Sequence, residues 1–208
     1  MKFIDTLTNS TKNYVQNRLK ANASYAHKME KAKDYNTKMK LEQEIKAGDE
    51  LQAEVAQCKS LYEDTKLASR IKKDEFLASK FTMALTQEDV ATLDNLEKIK
   101  VSDNEMRLFF EKYKYNPLAL RRLESIANEH NHTDVVMEQV SMSFRKYDEY
   151  NAKYKDFEHF CDTKLVEVDN FEPLDPIDKF KQIILEVIYN GLDQQEEALN
   201  SIFSALEA

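Results

Sequence analysis

The side chains best suited to chemistry are gathered in one short stretch, Glu129-His130-Asn131-His132-Thr133-Asp134. Imidazole and carboxylate together suggest a transition-metal site. A His-x-His pair shares one side of a strand, but on a helix, at about 100° per residue, the two rings diverge by about 200°. Tetrahedral zinc needs further His or Cys ligands at usable spacing, and the chain holds only four histidines and two cysteines, none of them so placed. Glu129 and His132 match the Glu-x-x-His unit of di-metal helical bundles, which requires a second copy that is absent. The stretch reads as the end of one helix, closed by His and Asn, followed by a Thr/Asp cap on the next. No metal and no cofactor is expected.

Nucleophilic chemistry has as little support. Cys58 and Cys161 each fall at an apolar phase of a helix, without the basic or helix-N-terminal setting that lowers a thiol pKa. His159 precedes Cys161 by two residues, and helical residues so spaced do not face each other. The chain is therefore expected not to be an enzyme, and its two thiols suit a reducing compartment. The segment from Phe144-Arg145-Lys146-Tyr147 to Tyr154-Lys155 mixes aromatic and basic residues, as a platform for single-stranded nucleic acid would. Asp148, Glu149, Asp156 and Glu158 interleave with it, and the rings keep helical core spacing, so a buried seam is the expected reading.

Charge marks one more candidate. Residues 1–40 carry nine Lys/Arg against three acids, +6, while the whole chain is −8. On a helical projection Lys20, Lys28, Lys31 and Lys38 fall opposite the Leu7–Tyr25–Met29–Ala32 side, a candidate face for an anionic partner. Its plainer reading is a solvated helix face.

The elements that carry these residues follow from composition. Two glycines and three prolines occur in 208 residues, where average usage would give about fourteen and ten. Hairpin turns and phosphate-binding loops need φ > 0 positions that this chain hardly supplies. An all-α fold is expected, with a long N-terminal helical arm, coiled-coil-like or folded into a hairpin, beside a compact bundle of short helices. Residues 1–85 form the arm, with a bend or break expected at Gly48-Asp49. Residues 86–131 form a compact three-helix bundle opened by three start signals: Thr86 with Asp89, the Ser102/Glu105 capping box, and Asn116-Pro117. A long helix over 132–168, with the stripe Met137, Val140, Phe144, Tyr147, Tyr150, Tyr154, Phe157, Cys161 and Leu165, is expected to pack on the arm. In the C-terminal helical region, 169–208, a loop spans 169–176, Asp175-Pro176 starts a helix, and Gly191 ends it in the left-handed region.

The arm's strongest apolar stretch is Leu41, Ile45, Leu51, Val55, Tyr62, Leu67 and Ile71, spaced as a seam that another helix can cover. Covering it within one chain or between copies leads to the functional expectation. It is a protein–protein interaction protein acting through its arm, as scaffold, adaptor or assembly factor, and a homo-oligomer. The runner-up is a nucleic-acid-linked accessory or inhibitor, using the basic 1–40 face or an acidic body that mimics DNA. No apolar run approaches the roughly 18–20 residues that span a bilayer, and the N-terminus lacks the apolar core of a secretory signal. A cytoplasmic location with no membrane contact is expected. The Lys/Asn/Glu-rich, Gly-poor composition would suit a phage protein, placed in the host cytoplasm or the virion.

Overall fold

The computed structural model describes residues 1–82, 84–139, 143–172 and 179–206, excluding the side chains of 143, 144 and 179–181. Among the described residues 85% are helical, in eight helices with no strand. They are α1 (Lys2–Ala32), α2 (Thr37–Lys80), α3 (Gln87–Leu96), α4 (Asp103–Lys112), α5 (Pro117–Glu129), α6 (Thr133–Glu138), α7 (Ser143–Asp169) and α8 (Lys179–Ser204). The protein is all-α with a long N-terminal arm. Two compact units divide it, Met1–Lys72 with Tyr154–Ala208, and Lys73–Lys153.

The arm is two helices, and its break lies at 33–36 rather than at Gly48. Lys33, Asp34 and Tyr35 tighten the end of α1 with bonds three residues back, from their N–H groups to the carbonyls of Glu30, Lys31 and Ala32. Asn36 then accepts from the Met39 N–H at 3.1 Å, starting α2. A capping asparagine satisfies an orphan donor at the new helix start, and this outweighs one interior glycine, which costs only about 1 kcal/mol against alanine. Gly48 stays inside α2.

In the first unit α1 and α2 run antiparallel. Ser69 Oγ donates to the Phe3 carbonyl at 2.6 Å, the Tyr14 and Tyr62 rings meet edge-on at 6.1 Å, and Lys28 reaches Glu50 at 2.6 Å. The end of α7 lies antiparallel to α2, through Arg70–Glu158 at 2.6 Å, Lys66–Asp162 at 2.7 Å and Lys59–Asp169 at 3.1 Å. Helix α8 returns along α1, where the Phe3 and Phe203 rings stand 5.3 Å apart and Asn200 donates to Asp5 at 3.2 Å. Ile4, Leu7, Val15, Tyr62, Tyr154, Phe157, Cys161, Ile188, Leu192 and Phe203 fill the space between the four helices. Gly191 lies inside α8, with no positive φ, so it does not end that helix. A Cβ there would stand 3.2 Å from Phe160, so its small size serves the approach of α7 to α8.

The second unit holds α3, α4, α5 and α6 around Leu93, Leu96, Met106, Phe110, Leu120, Leu123, Ile126 and Val135. The starts of α3, α4 and α5 are those that the sequence marks, whereas α6 starts after His132 with no side-chain cap in place of the expected Thr/Asp cap. Thr86 and Asp89 form one capping box and Ser102 and Glu105 another, while Asn116 caps α5 with Pro117 in the first turn. Asn131, at φ 63°, ends α5 in the left-handed region. The helix expected over 132–168 is not continuous: α6 stops at Glu138 and α7 starts at Ser143. Met137 is exposed and leaves the stripe, whereas Tyr150, Tyr154, Phe157, Cys161 and Leu165 are buried. Val140, the Phe144 side chain and Asp175-Pro176 lie outside the described residues.

Candidate functional site

The apolar seam expected along α2 is not the face that α2 buries. Its buried positions are Ala47, Tyr62, Lys66, Ser69, Lys73 and Leu77, and from Tyr62 onward they follow in threes and fours. Two lysines sit in that face because each long apolar stem can be covered while its ammonium finds a partner. Lys66 Nζ donates to both oxygens of Asp162, at 2.8 and 2.7 Å, and Lys73 Nζ donates to Asn151 at 2.7 Å. Following apolar residues alone shifts the phase to Leu67 and Ile71, on the outer side.

Of the seven seam residues, only Tyr62 is buried, and Leu51 and Val55 are half-buried. Leu41, Ile45, Leu67 and Ile71 are 58%, 57%, 57% and 50% exposed. They form two i,i+4 pairs, and residues so spaced are neighbours on one helix face.

The lysine face is divided as well. Lys20, Lys28 and Lys31 are on α1 but Lys38 is on α2, because the break at 33–36 interrupts the helical projection. Lys28 is paired with Glu50, whose hydrogen bond raises the lysine pKa and lowers the carboxyl's own. Lys28, Lys31 and Lys46 line a small hollow near the α1–α2 turn, and Glu50 is in the same hollow.

A wider opening runs between α1 and α2, an open groove of about 800 Å³. Thr6, Ser10, Asn13, Asn17, Lys20 and Ser24 form its α1 wall, and Glu54, Gln57, Leu61 and Thr65 face them from α2. Tyr14, Ala21, Cys58 and Tyr62 also line it. The polar row is legible in the sequence as threes and fours, but residues of this kind are the ordinary content of a solvated face and carry no signal by themselves.

Beneath the groove, two tyrosine–cation pairs hold α7. Tyr14 and Arg18 both donate to Asp169, at 2.7 and 3.2 Å, and Tyr62 and Lys66 both donate to Asp162, at 2.9 and 2.7 Å. In each pair the cation follows the tyrosine by four residues, and the two aspartates stand a heptad apart. Burial, and then Asp169, push the Tyr14 hydroxyl pKa well above its ordinary value. Tyr62 is raised likewise, by burial and then by nearby Cys161 and Asp162. Burial pushes the Cys161 thiol up to about 12, and it raises Cys58 too, with Glu54 adding to the effect. Neither thiol has the environment of an activated nucleophile.

The histidine cluster is part of the second unit's packing. His132 Nδ1 lies 2.5 Å from Asp103 Oδ1, joining the start of α6 to the start of α4, and His130 Nε2 is 3.3 Å from the Glu97 carbonyl. Among the described residues no group of three or more His, Cys, Asp or Glu is placed to hold a metal ion. Nor, among them, is any helix long and apolar enough to cross a membrane. No protein-family model, curated protein or solved structure matches the chain.

Proposed function

We propose that this chain is a non-enzymatic interaction protein, a scaffold, adaptor or assembly factor that self-associates through α2 of its helical arm. The observation that carries the reading is the pair of exposed patches, Leu41/Ile45 and Leu67/Ile71, on one helix of 44 residues. Burying a Leu or Ile side chain fully is worth about 1.5–3 kcal/mol, so even partial coverage of four recovers several. A second copy presents the same patches, as a two-fold interface requires. Leu51, Val55 and Tyr62 belong to the arm's own packing in this reading, and the outer pairs meet the partner. The expected setting is the cytoplasm, or the virion if the protein is phage-encoded.

A photo-crosslinking amino acid placed at Leu67 or Ile71 tests the contact. Crosslinked dimers are expected from those positions and not from Gln195, an exposed control on α8. Absence of dimer from both positions would overturn the reading.

A second reading, contact with nucleic acid, has the convergence of Lys28, Lys31 and Lys46 in its favour. It ranks lower because Glu50 neutralises part of that charge. Replacing Lys20, Lys28, Lys31 and Lys38 by Gln is expected to leave nucleic-acid binding unchanged at about 0.15 M salt, where surface charges are screened beyond roughly 8 Å. Tight binding by the wild type that the variant loses would promote this reading instead.

A further inference from the structure

We infer that His130 and His132, at the junction of α5 and α6, form a two-coordinate site for copper(I). On one helix the two rings would diverge, but α5 ends at Glu129 and α6 starts at Thr133. Asn131 between them, at φ 63°, turns the chain and leaves the ring centres 6.4 Å apart. Each ring has one nitrogen engaged: His130 Nε2 meets the Glu97 carbonyl at 3.3 Å, and His132 Nδ1 meets the Asp103 carboxylate at 2.5 Å. A carbonyl and a carboxylate only accept, so each neutral ring turns its N–H to that partner and keeps its lone pair on the other nitrogen. Those two nitrogens, His130 Nδ1 and His132 Nε2, are buried with no hydrogen-bond partner among the described residues. His132 as a whole is 6% exposed, whereas His27 and His159, the other two histidines, lie in solvent. Buried polar atoms are rarely left unpaired, and two within one three-residue turn call for a shared occupant.

The donor set selects the ion. Metal-binding histidines are oriented by giving their other N–H to a carboxylate or a backbone carbonyl, and this pair has one of each. Among the described residues no third His, Cys, Asp or Glu joins them. Tetrahedral zinc takes four ligands, and calcium or magnesium an oxygen cage, so neither fits. Imidazole is a good copper ligand, and the closed-shell monovalent ion is complete with two nitrogens in line. With metal–nitrogen bonds of about 2 Å and each nitrogen about 1 Å from its ring centre, two imidazoles in line have centres about 6 Å apart, against about 5 Å at a tetrahedral angle. The observed 6.4 Å matches the linear case. A water donating to both nitrogens is the competing occupant, but a buried water ordinarily makes about three bonds and these rings supply two. None of Leu41, Ile45, Leu67 and Ile71 belongs to the second unit, so this inference goes beyond self-association and can fail separately from it.

The test adds copper(I) without oxygen to the full chain carrying Cys58→Ser, which removes the half-buried thiol as a rival ligand. Competition with a chromogenic copper(I) chelator is expected to show one ion per chain. Affinity should fall at least about tenfold when His130→Gln is added, since even the groups that orient a ligand are worth that much. His130 is the half-buried member of the pair, and a matching far-UV circular dichroism spectrum checks that the variant is folded. X-ray absorption by the loaded chain needs no histidine variant and should show two nitrogen neighbours in line and no sulfur. Absence of bound copper(I), sulfur neighbours, equal affinity after His130→Gln, or a preference for zinc over copper(I) would each overturn the inference.

Discussion

Asp162 carries more of the first unit than its sequence context announces. It accepts from Tyr62 and Lys66, both buried, so removing it takes the acceptor from a buried phenol and leaves the ammonium only the more distant Glu63, at 3.9 Å. Its own side chain is 41% exposed, which moderates the loss. Asp162→Ala is expected to lower stability by roughly 1–3 kcal/mol in denaturant unfolding, because bonds to charged groups are worth more than neutral ones. Glu30→Ala, which breaks the exposed pair with Lys33, should change it by under about 0.5 kcal/mol. Equal effects would contradict the assigned burial. The thiols offer a second check: a disulfide reagent near pH 8 should modify half-buried Cys58, whereas Cys161 reacts only on unfolding. At this scale the sequence is informative where a residue's role is local, as at Asn116 or Ser102. It is silent where the role comes from a partner a hundred residues away, as with Lys66.

Helix starts are legible for the same reason, since a capping box is closed within four residues. Ser102→Ala should cost about 1 kcal/mol, with α4 fraying first in hydrogen exchange. Backbone and side-chain hydrogen bonds from Ser102 hold the Glu105 carboxyl below its ordinary pKa. Its contribution is therefore present above the usual carboxylate range and is lost as pH falls through the depressed value. The two glycines mislead because their meaning depends on tertiary neighbours. Gly48 has nothing within 4 Å of a built Cβ, while at Gly191 the Phe160 ring stands at 3.2 Å. Gly48→Ala is thus expected to stabilise by about 0.5–1 kcal/mol through helix propensity. Gly191→Ala should gain less or lose stability, as Phe160 has to shift. Thermal unfolding of the two variants decides this, and an equal gain in both would refute the packing role given to Gly191. The turn at 33–36 lacks both Gly and Pro, so the sequence directs the expected bend to Gly48-Asp49 instead.

For the whole molecule, fold class is set by glycine scarcity and charge-rich helical periodicity, and these require no knowledge of partners. The face that α2 buries cannot be read so directly, because Lys66 and Lys73 enter it through paired ammonium groups. That burial has a pH signature. Tyr14, Tyr62, Tyr154 and Cys161 all have raised pKa values, chiefly through burial, so the unfolded chain releases these protons first as pH rises. Their stabilising effect is complete below the ordinary thiol range, about 8.5, and declines above it, more steeply past the phenol range near 10. Melting temperature should be flat from about pH 7 to 8 and fall above about 9, whereas a flat profile through pH 10 would place these side chains in water. The central claim, that the uncovered pairs of α2 join copies of the chain, is met most directly by sedimentation equilibrium at tens of micromolar. The wild type is expected to sediment as a dimer or higher oligomer, and Leu67→Asp/Ile71→Asp as a folded monomer of 24.4 kDa. A wild type that stays monomeric, or a variant that associates as strongly, would contradict it.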